Sequence, residues 1–172
     1  VTVGLVSDIT SLHGAHNHQN LCAAYGACKA SGMLGEDIIL AARTYPGLAH
    51  RQQIVRVING VSYVNDSKGT NFEATAKALG CYNNIYLVAG GQPKSGGLSG
   101  IEQFADRIRH VFLIGEAAEE FSKFLTKVGI PNTISHTLDV AVLEAHRKVQ
   151  SNRGAPGGAG TVLLSPACAS WD

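Results

Sequence analysis

An excess of one charge is missing from this sequence: 14 basic residues stand against 13 acidic ones, a formal net charge of +1. Nucleic-acid and membrane-surface proteins usually carry a basic patch. Neither nucleic acid nor a membrane is therefore expected as a partner. Long apolar runs are missing too; none reaches the roughly 18 residues that a bilayer-spanning helix needs. The first residues lack a basic leader, so residues 1–8 read as a strand or strand remnant rather than a signal peptide. The absence of an initial Met fits a processed or excised segment. Among the four cysteines, Cys22, Cys28, Cys81 and Cys168, there is no C-x-x-C pair. Each has small or apolar neighbours and reads as a buried free thiol of a reducing, cytoplasmic location. His16 and His18 are two apart on an expected helix and point to different faces, a poor metal pair. No segment matches the phosphate-binding loop G-x-x-x-x-G-K-S/T, so the chain lacks that cradle for a nucleotide triphosphate.

What is present is the composition of a globular chain: 172 residues, 45% of them apolar and 16% charged. That length suits one ordinary domain plus part of another. Residues 16–31 are rich in Ala and Leu and free of Pro, and read as a helix; 36–42 fit a second. Tyr45-Pro46-Gly47 then breaks the helical pattern, which puts a domain boundary between 1–46 and 47–172. Two β-rich runs, 53–58 and 61–65, are joined by Asn59-Gly60, a strong hairpin signal because both residues tolerate positive φ.

Strands and helices alternate thereafter. Strands are expected at 85–89, 111–114, 133–135 and 162–164. Helical spacing runs through Ile101, Phe104, Ala105 and Ile108; through Ala117, Phe121, Phe124, Leu125 and Val128; and through Leu138, Ala141, Val142, Ala145 and Val149. Strands separated by crossover helices need a mostly parallel sheet covered on both faces. The fold class is therefore α/β, with an open, Rossmann-like sheet. A Gly-rich loop, expected to be mobile, spans 152–160. The chain stops where another helix is due, as a truncated segment would.

Ligands of open parallel sheets bind beyond the carboxyl ends of the strands. The loops expected there are 66–70, 90–95, 115–116 and 165–170. They are polar and Gly-rich, and two carry a lysine, Lys68 or Lys94. Thr70-Asn71-Phe72-Glu73 has the form of a capping box, with Thr70 as N-cap and Glu73 three residues on. A helix end there favours an anion, and Lys68 adds a full charge. Asp66 has the chemistry to accept from a ribose hydroxyl. The plainer alternatives stay open: Thr70 as a cap only, Asp66 paired with Lys68, and Lys94 a solvated surface residue. Arg51, just after the break, either reaches a phosphate with its planar fork or packs at a hinge.

Five segments in order resemble the Mur ligase family. Gly14-Ala15-His16-Asn17-His18-Gln19-Asn20 resembles its G-x-H-N-x-x-N signature. Gly47-Leu48-Ala49-His50-Arg51 resembles its G-L-x-H-R hinge segment. Asn65-Asp66-Ser67-Lys68-Gly69-Thr70-Asn71 resembles N-D-S-K-A/G-T-N. Gly90-Gly91-Gln92-Pro93-Lys94-Ser95 and Ser165-Pro166-Ala167-Cys168-Ala169-Ser170-Trp171-Asp172 resemble the G-G-x-x-K-x and S-P-A-x-A-S-x-D loops of the D-glutamate-adding member.

The resemblance implies the helical remnant of a central ATPase domain, followed by the carboxy-terminal amino-acid-binding domain. It implies a ligase that joins D-glutamate to UDP-N-acetylmuramoyl-L-alanine through an acyl phosphate, in peptidoglycan precursor synthesis. ATP and Mg²⁺ would be held mainly by the missing upstream part, so this chain alone would not turn over. By the same resemblance Lys68 and Arg51 act at the phosphates. Thr70, Lys94 and Ser170 hold the carboxylates of D-glutamate, and His16, Asn17, Asn20 and Asp66 contact the nucleotide. Two readings compete with this one. One is a related ligase with another acceptor, such as a folate-glutamylating type. The other is a non-catalytic module that binds a nucleotide, an anion or a phosphosugar.

Overall fold

A computed structural model describes residues 4, 6–9, 11–154, 156 and 158–169. The chain divides into two compact units, Val1–Ala49 and His50–Asp172. In the first, Val6–Asp8 form a 3-10 turn, where the pattern had pointed to a strand over 1–8; residues 1–3 and 5 lie outside the described ones. A strand needs a neighbour to satisfy its N–H and C=O groups, and no strand is described in this unit. The backbone closes on itself instead, Ile9 N donating to Val6 O at 3.1 Å.

Helix α1 (Ala15–Ala30) and helix α2 (Gly35–Thr44) follow, close to the expected spans. Glu36 and Asp37 in the first turn of α2 and Arg43 in its last complement the helix dipole. Arg43 also pairs with Asp8 at 3.2 Å. The unit has little core of its own: Ile9 and Ile38 are its buried apolar residues among those described, and α1 buries none.

The second unit is a six-stranded sheet. Its strands are β1 (Gln53–Ile58), β2 (Val61–Asn65), β3 (Ile85–Gly90), β4 (Ile108–Ile114), β5 (Asn132–His136) and β6 (Thr161–Leu164). The spatial order is β1-β2-β6-β3-β4-β5. β1 pairs antiparallel with β2, through the hairpin in which Asn59 and Gly60 take φ of 52° and 82°. Every other pairing is parallel. Helices α3 (Phe72–Leu79), α4 (Ala118–Lys127) and α5 (Leu138–Ser151) are the crossovers.

The period of two along the strands sorts the core into two layers. Ile85, Leu87 and Ala89 of β3 join Val111, Leu113 and Leu163 in a cluster roofed by Leu79 of α3 and by Phe121 and Leu125 of α4. Tyr86 and Val88 point the other way, into a cluster with Phe112, Val162 and Ala141, Ala145 and Val149 of α5. All six residues of β3 are buried, as a strand covered on both faces must be. Each fully buried Leu or Val side chain contributes about 1.5–3 kcal/mol relative to exposure. Among the described residues no helix is long and apolar enough to cross a membrane.

Three expectations need correction. The segment read as a helix from Ile101 is a four-residue 3-10 turn, Ile101–Phe104, and Ile108 opens β4 instead. Ile101 and Ile108 are both buried in one cluster, so the helical spacing arises from a turn and a strand entering the same core. On α5, Leu138 and Val142 are 45% and 38% exposed; the buried stripe is Ala141, Ala145 and Val149. The cysteines are free, but only Cys168 is buried. Cys22 and Cys28 lie on α1, which packs no described side chain to full burial, and Cys81 follows the end of α3. In the segment after α5 the carbonyls of Pro156 and Gly158 accept from the Asn84 side chain, each at 3.0 Å.

The end of β3 admits only glycine. Gly90 has φ of 123°, and a methyl there would stand 2.0 Å from the Ile114 carbonyl oxygen. Gly90→Ala is expected to lower the unfolding free energy by at least about 1–3 kcal/mol, read from the denaturant midpoint. Gly154→Ala, with open space around the new carbon, should stay within about 0.5 kcal/mol of the parent.

His110 on β4 predicts a pH dependence. It is buried, 7% exposed, and its Nε2 lies 2.8 Å from Thr133 Oγ1. Burial above all, reinforced by the Lys148 charge and opposed by Glu144, pushes its pKa down to about 4. The unfolded chain therefore binds the extra proton first, and stability falls as pH drops from about 6.5 towards about 4. The loss is on the order of 2 kcal/mol and should be absent in His110→Gln, compared by urea unfolding across that range.

Candidate functional site at the carboxyl ends of the parallel strands

β6 lies between β2 and β3, so the loops that leave these three strands are neighbours. Each is stitched to the next by backbone hydrogen bonds. Asp66 N donates to Leu164 O at 2.8 Å, Ala167 N to Gly69 O at 2.8 Å, and Gly90 N to Pro166 O at 2.9 Å. Gln92 and Ala169 exchange two bonds, at 3.2 and 3.3 Å. Three of the four loops expected at this edge are thus laced into one surface.

Helix α3 starts from that surface. Its N-cap is Asn71, whose Oδ1 accepts from Ala74 N at 2.9 Å. The sequence reading had given this role to Thr70 and the answering role to Glu73. Glu73 instead points outward, 87% exposed and 3.8 Å from Lys77. Asn is at least as good a cap as Thr, and here it sits one residue nearer the first turn. Thr70, relieved of capping, is half-buried on the approach to the helix.

A cleft of about 310 Å³ opens here, lined by Asn71, Phe72 and Glu73 from α3, by Lys94–Gly97 and Ser99, and by Ala167. The first-turn amides of a helix have no partner inside it and carry partial positive charge. Lys94, exposed and part of the same lining, adds a full one, and Glu73 on that lining carries the opposite charge. Cys168 lies buried beneath. Burial pushes its thiol up to about 11, Lys94 opposing the shift and Glu120 adding to it, so this cysteine packs rather than reacts.

Asp66 is placed differently from expectation. It is 7% exposed and faces protein donors: Oδ1 accepts from Gln52 N at 3.1 Å and Oδ2 from Ser165 Oγ at 2.7 Å. A carboxylate oxygen has two lone pairs, so a ribose contact would have to share these atoms. Through Gln52 the carboxylate also holds the backbone next to Arg51. Arg51 and Lys68 are exposed, and Lys68 N donates to His50 O at 3.1 Å. His16, Asn17 and Asn20 stand on α1 in the other unit, where Asn17 Nδ2 donates to His13 O at 2.7 Å. Ser170 lies outside the described residues. Among the described residues no group of three His, Cys, Asp or Glu could hold a metal ion.

Sequence reasoning missed Asn71, Gln52, Thr75 and Ser165. Asn71 and Ser165 stand inside segments that the motifs mark, without a role read for them, and Thr75 is a polar residue in register with Ala78 and Leu79 on the buried stripe of α3. Asn71→Ala is expected to cost about 0.5–2 kcal/mol in thermal or urea unfolding, and Thr70→Ala clearly less; the reverse order would restore Thr70 as the cap.

No family profile matches the chain. Similarity to individual proteins is nevertheless extensive. The chain is 50% identical over 165 residues to the UDP-N-acetylmuramoylalanine–D-glutamate ligase of Paramagnetospirillum magneticum, 95% of this chain and 35% of that one. It is 47% identical over 167 residues to the enzymes of that name from Rhodospirillum rubrum and Rhizobium meliloti, in each case 97% of this chain. The chain thus spans about a third of these relatives' length, 34–35%. Among solved structures it resembles the UDP-N-acetylmuramate–alanine ligase of Thermotoga maritima, with a TM-score of 0.65 at 14% identity over 91% of this chain and 35% of that one, a likeness of fold alone. The ordered motifs, and 47–50% identity over at least 95% of this chain, place it in the Mur ligase family, matching the carboxy-terminal portion of its D-glutamate ligases.

Proposed function

We propose that this chain is the amino-acid-presenting part of an ATP-dependent ligase that adds D-glutamate to UDP-N-acetylmuramoyl-L-alanine in the cytoplasm, for peptidoglycan precursor synthesis. The observation that carries this reading is the cleft shared by Lys94, the amino end of α3 and the Ala167 loop. D-glutamate presents two carboxylates and one amine. A cationic wall facing a helix amino terminus suits the two carboxylates and leaves the amine to be directed outward.

In this reading residues 1–46 are the tail of the central ATP-binding domain and 47–172 the amino-acid-binding domain. The small core of the first unit supports that division. Thr70, Lys94 and Ser170 hold D-glutamate. Lys68 and Arg51 face the phosphates of ATP, and His16, Asn17 and Asn20 contact its nucleoside. Asp66, nearly enclosed, serves the nucleotide mainly through Oδ1, which holds Gln52 N beside Arg51. The alanyl carboxylate attacks the γ-phosphorus of ATP, giving an acyl phosphate and ADP. The D-glutamate amine then attacks the acyl carbon; the tetrahedral adduct loses inorganic phosphate and a proton and leaves an amide. Mg²⁺ would neutralise phosphate charge in the first step. No cluster among the described residues fits it, so no role here is assigned through it. What these residues contribute is orientation and fixed charge.

The full-length parent should release phosphate from ATP and UDP-N-acetylmuramoyl-L-alanine with D-glutamate, and not with L-glutamate, lysine or diaminopimelate. Lys94→Ala should raise the KM for D-glutamate on the order of 10- to 100-fold, the loss of one charged hydrogen bond. Release with a different amino acid would keep the ligase and replace the substrate. No release with any would leave an anion-binding module.

A further inference from the structure

Ser165 and Thr75, neither of which is assigned a ligand contact, form a buried hydroxyl relay that ends on Asp66. Both are fully buried, at 0% exposure. Ser165 Oγ lies 2.7 Å from Asp66 Oδ2 and 2.9 Å from Thr75 Oγ1. Thr75 Oγ1 also lies 3.4 Å from Gly69 O.

Counting protons gives the relay a direction. A carboxylate only accepts, and each hydroxyl has one proton to give. Ser165 therefore donates to Asp66, and its oxygen is left to accept; the one Thr75 proton has two acceptors in reach, Ser165 Oγ at 2.9 Å and the Gly69 carbonyl at 3.4 Å, and the shorter contact is the one to Ser165. The order Thr75, Ser165, Asp66 gives each of the three groups a partner, and Gly69 packs closely against it: a methyl there would stand 2.5 Å from Ser165 Oγ and 2.8 Å from Asp66 Oδ2.

The two arms of Asp66 reach different parts of the site. Oδ1 holds Gln52 N, next to Arg51. Oδ2, through Ser165 and Thr75, ties the first turns of α3 to the loop that runs through Ala167 and Ala169 towards Ser170. That loop is bonded in turn to Gly69 and to Gln92 beside Lys94. The hydroxyl arm, unlike the Gln52 arm, therefore runs between elements that line the cleft.

We propose that Ser165 and Thr75 are positioning residues for the incoming amino acid, setting the spacing between the amino end of α3 and the Ala167–Lys94 side of the cleft without touching the ligand. This rests on the reading of the cleft as the D-glutamate site. It separates the acceptor side from the ATP side of the same loop.

The test is steady-state kinetics of the full-length parent with Ser165→Ala, Thr75→Val and Thr75→Ser. Ser165→Ala and Thr75→Val are expected to raise the KM for D-glutamate about 10-fold, while the KM for ATP stays within about twofold. Thr75→Ser, which keeps the hydroxyl, should restore the parent's KM. A D-glutamate KM unchanged in Ser165→Ala, an equal rise for both substrates, or Thr75→Ser as impaired as Thr75→Val would each overturn the proposal. If Ser165→Ala does not fold, the Thr75 pair decides, because the two side chains differ in the hydroxyl and are both small. A parent inactive with D-glutamate would defeat the functional reading itself, and the relay proposal with it. An active parent with insensitive variants would defeat only the relay.

Discussion

The backbone pairing of β6 with two partners at once organises the second unit. Its four residues run parallel to β2 on one side and β3 on the other, Tyr63 opposite Val162 and Tyr86 opposite the same residue. A strand inserted last in the chain between two that are already covalently linked forces the α3 crossover to step over an empty slot. It also brings three loops that are far apart in sequence to one edge of the sheet. Every feature of the candidate site depends on that insertion: the Gly69–Ala167 bond, the Gln92–Ala169 bridge, and the contact of Ser165 with Asp66.

The two faces of the sheet are filled unequally. The face under α3 and α4 holds the larger cluster, with Leu79, Leu87, Leu113, Phe121 and Leu125 at its centre. The site sits on the rim of this cluster, so the helix that presents Asn71 and Phe72 to the cleft is anchored by apolar burial at its other end. Rigid support of this kind is what a binding surface needs if it is to hold a ligand in one orientation. The polar relay of Thr75, Ser165 and Asp66 is the only strip of α3 contact in which described side-chain hydroxyls replace hydrocarbon. Being fully satisfied, it specifies one spacing where a purely apolar contact would tolerate several.

Sequence reading and structure part company in instructive places. The hairpin at Asn59-Gly60 was legible because its signal is local: two residues with positive φ. So were the α4 and α5 stripes, although Leu138 and Val142 show that spacing alone does not say how wide the buried face is. The Ile101–Ile108 segment was misread because a turn and a strand entering one core can imitate helical spacing. The cap was assigned to Thr70 when Asn71, an equally good acceptor, stood one residue closer. Asp66 looked like a surface ligand because a carboxylate in a polar loop usually is one. Only the arrival of Ser165 and the Gln52 amide makes it an interior anchor.

Local chemistry, written in the order of residues, determined the α/β alternation, the hairpin, most helix faces, and the loops that carry Lys68 and Lys94. These follow from turn preferences and hydrophobic period, which act over a few residues. Tertiary structure alone decided that β6 lies between β2 and β3, that Thr75, Ser165 and Asp66 are hydrogen-bonded in series, and that Lys94 lines one cleft with the first turn of α3. Such contacts are separated by up to 99 positions. No local rule records them, because the free energy that selects them comes from burying both faces of the assembled sheet at once.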